Sequence, residues 1–183
     1  MEALARLSRQ QLDGGIDRVP LPSDVAGALF LCGQHAIGRD HVAVRGEIRR
    51  VVGRDPVVVC LVEAGELRGR YDEYADWLDA GGEGSAMYWP IADMHAPAAE
   101  AMLDFVDGLV RRLRLGEALL VHCAGGIGRT GTTAICLLIR LGVDRGDAER
   151  TVAKARPGAG PEVDSQRALV DAFAALGARS ERS

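Results

Sequence analysis

Four short apolar runs, ALFLC (28–32), VVVCLV (57–62), AMYW (86–89) and ALLVH (118–122), alternate with stretches of helical period, and this alternation constrains the fold most. Each run is bounded by Gly, Pro or charge and reads as a strand. Residues 39–52, 71–80, 97–115, 128–141, 147–155 and 165–176 read as helices. The clearest is 97–115, where Met102, Phe105, Val106, Leu109 and Leu113 recur on one face. Pro97 suits its first position and Gly116 stops it. A chain of 183 residues that alternates strand and helix predicts a single α/β domain, with a central, mainly parallel sheet flanked by helices on both faces. Ligands in such folds bind beyond the carboxyl ends of the strands.

Composition narrows the function classes. A net charge of −4 offers no general attraction to nucleic acid or to an anionic membrane, so neither is expected as a partner. The longest apolar stretch, AICLLI, is far short of a membrane span. The charged start MEALARLSRQQLDGG lacks the apolar centre of a secretory signal, which predicts a cytoplasmic protein. Arginine dominates the basic residues, with Lys154 the sole lysine, a bias that fits a GC-rich bacterial source. Cys32, Cys60, Cys123 and Cys136 form no CxxC pair, which argues against a zinc knuckle or a thioredoxin-type motif. Cys60 and Cys136 sit inside apolar runs and read as core residues. Cys32 adjoins a loop, which keeps a redox role open.

Cys123 is set differently, in VHCAGGIGRTGTTA (121–134), between a strand end and a helix start. A thiol is nucleophilic only as thiolate, and the ordinary cysteine pKa is about 8.5. Backbone N–H groups converging at a helix N-terminus favour a thiolate and cradle a tetrahedral anion. Gly125, Gly126 and Gly128 suit such a turn, which needs unusual φ values and close backbone approach. Together with Ala124 and Ile127 they would bind the phosphate of a substrate. Arg129 supplies a planar fork for two anion oxygens, and Thr130 a hydroxyl that helps the sulfur leave in a second step. His122 reads as an orienting, hydrogen-bonded residue. The constellation fits attack by sulfur on a phosphate monoester.

The string His-Cys-x-x-Gly-x-x-Arg-Thr-Gly resembles the active-site signature of the cysteine-dependent protein tyrosine phosphatase superfamily. WPIADMHAP is similar to its general-acid loop, VVVCLVEAGEL to the strand and turn before it, and ARPGAGPEVDSQ to the late loop with a water-positioning Gln. The PIAD spacing, the GGIGR loop and LVEAGEL are nearest the dual-specificity branch, in particular the kinase-associated phosphatase group. The resemblance implies a protein tyrosine phosphatase-like fold, with 26–178 as the phosphatase domain, 1–25 as an N-terminal segment whose order stays open, and 179–183 as a flexible tail. It makes Cys123 the nucleophile, Arg129 the phosphate clamp, Asp93 the general acid and Gln166 the residue that orients water.

Asp93 also reads as a cap of the helix opening at Pro97, and His95 and Glu100 are rival acids. No metal or cofactor is expected, because thiolate, Arg129 and backbone N–H groups supply the charge stabilisation. The expected partner is a phosphorylated protein or a small phosphate ester; the oligomeric state stays open. The absence of asparagine excludes the Asn-Arg-Tyr recognition loop of the tyrosine-specific branch. Residues 124–128 carry no cation, which disfavours polyphosphorylated substrates, although Arg39, Arg45 or Arg156 could approach from other loops. Inositol-phosphate hydrolysis and a binding-only phosphate module remain the alternatives.

Overall fold

The computed structural model describes residues 15–180, with side chains to residue 176. Residues 1–14 and 181–183, which hold much of the N-terminal segment and the end of the expected tail, lie outside the described residues. In chain order the elements are β1 (Asp17–Val19), β2 (Ala28–Gly33), α1 (Gln34–Arg39), α2 (His41–Val52), β3 (Val57–Cys60), α3 (Ala64–Leu67) and α4 (Asp72–Asp79). A 3-10 turn (Gly81–Gly84), β4 (Ala86–Tyr88), α5 (Ala99–Arg114), β5 (Ala118–Cys123), α6 (Gly128–Arg140), α7 (Arg145–Ala155) and α8 (Asp164–Ser180) follow.

The strands make one sheet in the order β1-β2-β5-β3-β4. β1 pairs antiparallel with β2, and the other three pairings are parallel. Every residue of β2, β3 and β5 is buried, as a sheet covered on both faces requires. β5 is central: His122 lies opposite Cys32 on one side and Cys60 on the other. The sheet therefore ends in three adjacent carboxyl termini, with Cys123 leaving the middle one.

α6 lies against β5 and β2 and is enclosed by α5, α7 and α8. Residues 128–139 of this helix are all buried, so its polar members need internal partners or a function. α1 and α4 pack together, α1 against β2 and α4 against β4. The helix expected over 71–80 is present as α4, with Tyr74, Ala75 and Leu78 buried while its acids face solvent.

Local chemistry moves several boundaries. The helix expected over 39–52 begins at His41, where the Asp40 side chain accepts from the Ala43 N–H and caps α2; Arg39 instead ends α1, a short helix that carried no sequence signal. Pro97 is not the first helical residue; α5 starts at Ala99 after an N-cap at Ala98 that makes no side-chain bond. It ends where expected, with Gly116 at φ +84. β4 stops at Tyr88, one residue short of the AMYW run. β1 lies within 1–25 and carried no sequence signal. No helix among the described residues is long and apolar enough to cross a membrane.

Cys32, Cys60 and Cys136 are buried, and burial pushes their thiols up to about 12, where they are unreactive. Cys32 has no exposed surface, so its thiol does not meet a dissolved oxidant directly.

Leu120 is fully buried at the centre of β5. Leu120→Ala is expected to cost about 2–5 kcal/mol of unfolding free energy, read as a lower denaturant midpoint at unchanged slope.

Candidate active site

β5 delivers Cys123 to the carboxyl edge of the sheet and α6 begins at Gly128, so residues 124–127 must turn tightly between them. The carbonyls of this turn are held from outside. Ala124 O accepts from the Gln34 N–H at 3.0 Å, and Ile127 O from the N–H groups of Gly131 at 2.8 Å and Gly160 at 3.3 Å. The buried Arg156 donates through Nε to Gly126 O at 2.8 Å and through Nη2 to Gly125 O at 3.0 Å. Its Nη1 pairs with Asp17 at 2.7 Å, which ties the loop to β1. Arg156 thus braces the back of the loop, where it cannot meet a substrate as the sequence allowed.

With the carbonyls turned outward, the N–H groups of residues 124–129 meet no acceptor among the described residues. Lying at the positive end of α6, these uncommitted N–H groups can bind a tetrahedral anion. Gly126 makes the turn possible: its φ is +69, and a Cβ there would overlap the Cys32 carbonyl.

Arg129 lies on the first turn of α6 and is only 3% exposed. Nη1 donates to Glu66 Oε1 at 2.7 Å and to Ile91 O at 2.9 Å; Nη2 donates to Glu66 Oε2 at 2.8 Å. Nη2 also lies 3.0 Å from Asp93 Oδ1. Burial opposes the guanidinium charge, but the Glu66 bonds, Cys123, Glu66 and Asp93 outweigh it and raise the Arg129 pKa. The same Arg129 bonds hold the Glu66 carboxyl below its usual range against partial burial.

Glu66, within VVVCLVEAGEL (57–67), is not among the site residues that the sequence predicts. Its local signal is the Glu63-x-x-Glu66 spacing: Glu66 Oε1 accepts from the Glu63 N–H at 3.0 Å in a capping box that starts α3. Nothing local reports the bond to Arg129, sixty-three positions away.

Asp93 sits in the turn Ala92–His95, closed by a 3.2 Å bond from the His95 N–H to Ala92 O. The next residue, Met94, is a non-glycine at φ +56, a conformation that costs about 1–3 kcal/mol. Asp93 caps no helix, since Ala98 occupies that position. Of the rival acids, the His95 ring bonds to Asp93 O at 2.6 Å, and Glu100 lies exposed on the first turn of α5. Gln166 is buried; its Oε1 accepts from the Glu162 N–H at 2.9 Å and its Nε2 donates to His95 O at 3.3 Å. It thereby joins the Asp93 turn to the start of α8.

His122 is fully buried with Nε2 2.6 Å from the Tyr74 hydroxyl. The Thr130 hydroxyl is buried with no partner among the described residues. Taken together, the cradle and Arg129 can seat a tetrahedral oxyanion beside Cys123, with a carboxyl group at the rim.

A family model described as "Swiss Army Knife protein, DSP-PTPase phosphatase domain" matches residues 54–179. Among solved structures the chain is similar to the active form of Tk-PTP, at 28% identity over 81% of this chain and 90% of that one, with a TM-score of 0.59. It shares its fold with kinase associated phosphatase, KAP, at 20% identity over 89% and 95% of the two chains and a TM-score of 0.68. The fold is shared too with PTPMT1 in complex with PI(5)P, at 17% identity over 86% and 96% and a TM-score of 0.62.

Burial lowers the His122 pKa from 6.5 to about 4, so the folded protein keeps the ring neutral. The unfolded chain takes up the proton first. The stability this contributes is complete above pH 6.5 and is lost as pH falls through about 4. His41, also lowered by burial, adds a slope of the same sign. Denaturant unfolding across this window is expected to show falling stability that flattens in His122→Gln; an unchanged slope would refute the assignment.

Proposed function

The chain belongs to the family of DSP-PTPase phosphatase domains and is a cysteine-dependent phosphatase of the protein tyrosine/dual-specificity type, and on that premise we propose the residue roles and substrate preference that follow. The observation that carries them is the convergence of Cys123, the outward-braced loop, Arg129 and Asp93 at one end of the sheet.

The phosphoryl group of a monoester sits on the N–H groups of Ala124, Gly125, Gly126, Ile127, Gly128 and Arg129, with the Arg129 fork on its oxygens. The Cys123 thiolate attacks phosphorus, an S–P bond forms and the P–O ester bond breaks. The leaving oxygen takes its proton from the Asp93 carboxylic acid, giving the free alcohol or phenol. Water, oriented by Gln166, then attacks the phosphocysteine and loses a proton to Asp93. The S–P bond breaks, inorganic phosphate leaves, and Thr130, whose hydroxyl is uncommitted, donates a hydrogen bond to the departing thiolate.

The preferred substrates are phosphotyrosine and phosphoserine or phosphothreonine of proteins. Two features support this over inositol phosphates: residues 124–128 carry no cation, and Arg156 is spent on the loop's own carbonyls. The presence of thiol, guanidinium and carboxyl in one site supports turnover over mere phosphate binding. The free, unbridged cysteines support a cytoplasmic setting.

Cys123→Ser is expected to abolish phosphate release from an aryl phosphate while retaining vanadate binding; retained turnover would refute the mechanism. Asp93→Ala is expected to slow ester substrates about 10²–10⁴-fold without lowering thermal stability. A stability loss at unchanged rate would assign Asp93 to the turn alone.

A further inference from the structure

Beside the site the surface opens into a hollow of about 470 Å³ lined by Gln34, Gly65, Glu66, Arg68, Gly69 and Arg70. Both ends of its inner wall belong to the anion site. Glu66 holds the Arg129 guanidinium, and the Gln34 N–H holds the Ala124 carbonyl of the loop. The Gln34 side chain is buried and its Oε1 has no partner among the described residues. Arg70 also lines a second hollow of about 740 Å³, together with His35, Arg39, Asp72 and Glu73, so the two adjoin at this residue and form a groove across it.

The charges in this groove are unequally committed. Glu66 is neutralised by Arg129, and Arg68 by Asp76 at 2.5 Å and by Asp79. Asp72 accepts from the Gly69 N–H at 2.9 Å. Among the described residues the exposed Arg70 guanidinium has no acidic partner. An uncommitted cation in the inner groove calls for an anionic group. Farther out, Arg39 stands with Asp72 and Glu73, a mixed field better matched to a peptide of mixed sequence than to a compact polyanion.

We propose that this groove seats the peptide flanking the phosphorylated residue, with Arg70 pairing to an acidic side chain of that peptide. The proposal rests on the protein-phosphatase reading above and adds a sequence preference to it. Arg70 does not touch the reacting atoms, so its contribution falls on peptide recognition alone.

The test measures kcat/KM for a small aryl phosphate, for inositol phosphates and for two matched phosphotyrosine peptides, one with acidic and one with amide residues on both flanks. The chain and Arg70→Glu are compared, with Cys123→Ser as blank. The chain is expected to prefer the acidic peptide about fivefold, less in high salt. Arg70→Glu is expected to erase or invert that preference and leave the aryl phosphate rate within about twofold. If the aryl phosphate is hydrolysed but the preference is absent, or persists in Arg70→Glu, the groove assignment falls and the chemistry stands. An equal loss on the aryl phosphate would place Arg70 in the anion site instead and overturn the proposal. Inositol phosphates hydrolysed in an Arg70-dependent way, with peptides untouched, would replace the peptide by a second phosphate. No aryl phosphate hydrolysis above the blank would remove the chemistry on which the proposal stands.

Discussion

A guanidinium as buried as that of Arg129 has to have its donors placed, or the desolvation of its charge would destabilise the fold by several kcal/mol. Glu66 meets it with two parallel bonds and Ile91 adds a carbonyl, so the fork is fixed before any ligand arrives. These partners come from α3 and from the segment after β4, while Arg129 itself starts α6. One side chain thus joins three parts of the chain at the carboxyl edge of the sheet. The pocket is preorganised because the same bonds that make the arginine tolerable in the interior also aim it.

A second arginine does the complementary work on the backbone. Arg156 grips two carbonyls of the loop from behind, and with the bonds to Ala124 and Ile127 it turns the peptide planes so that their N–H groups face inward. Its tie to Asp17 makes the short edge strand β1 part of the support of the site. The Asp93 turn is held more lightly: it carries the strained Met94 and is fastened by Gln166 through the His95 carbonyl. The loop is thus braced from several sides, whereas the Asp93 carboxyl sits on a turn that stores strain, a division that suits the proton-transfer role proposed for it.

Much of the architecture was legible because its causes are local. The apolar runs, the one-face spacing of 97–115 and the glycines of the loop each act over a few residues, and the strands and helices they predict are present. What escaped was a boundary, a short element such as β1, α1 or α3, or a long-range bond. The break at Asp40 depends on one side chain choosing to cap, and β1 is three residues whose only strand-forming reason is the neighbouring edge of β2. Arg156 is an arginine like twenty others in composition, and only the folded chain shows that it faces the loop from behind.

By itself the sequence determined the alternating fold and the strand–turn–helix around Cys123, because periodicity and glycine φ preferences are properties of adjacent residues. It also limited the charge inside the loop to Arg129, since residues 124–128 bring none. Tertiary structure alone decided that Glu66 clamps Arg129, that Asp93 lies 3.0 Å from the same guanidinium and that Arg156 turns away from the substrate side. Those outcomes follow from burial: once α6 is enclosed, each charged group at its end must find a partner, and which partner is near depends on how the sheet brings distant segments to one edge.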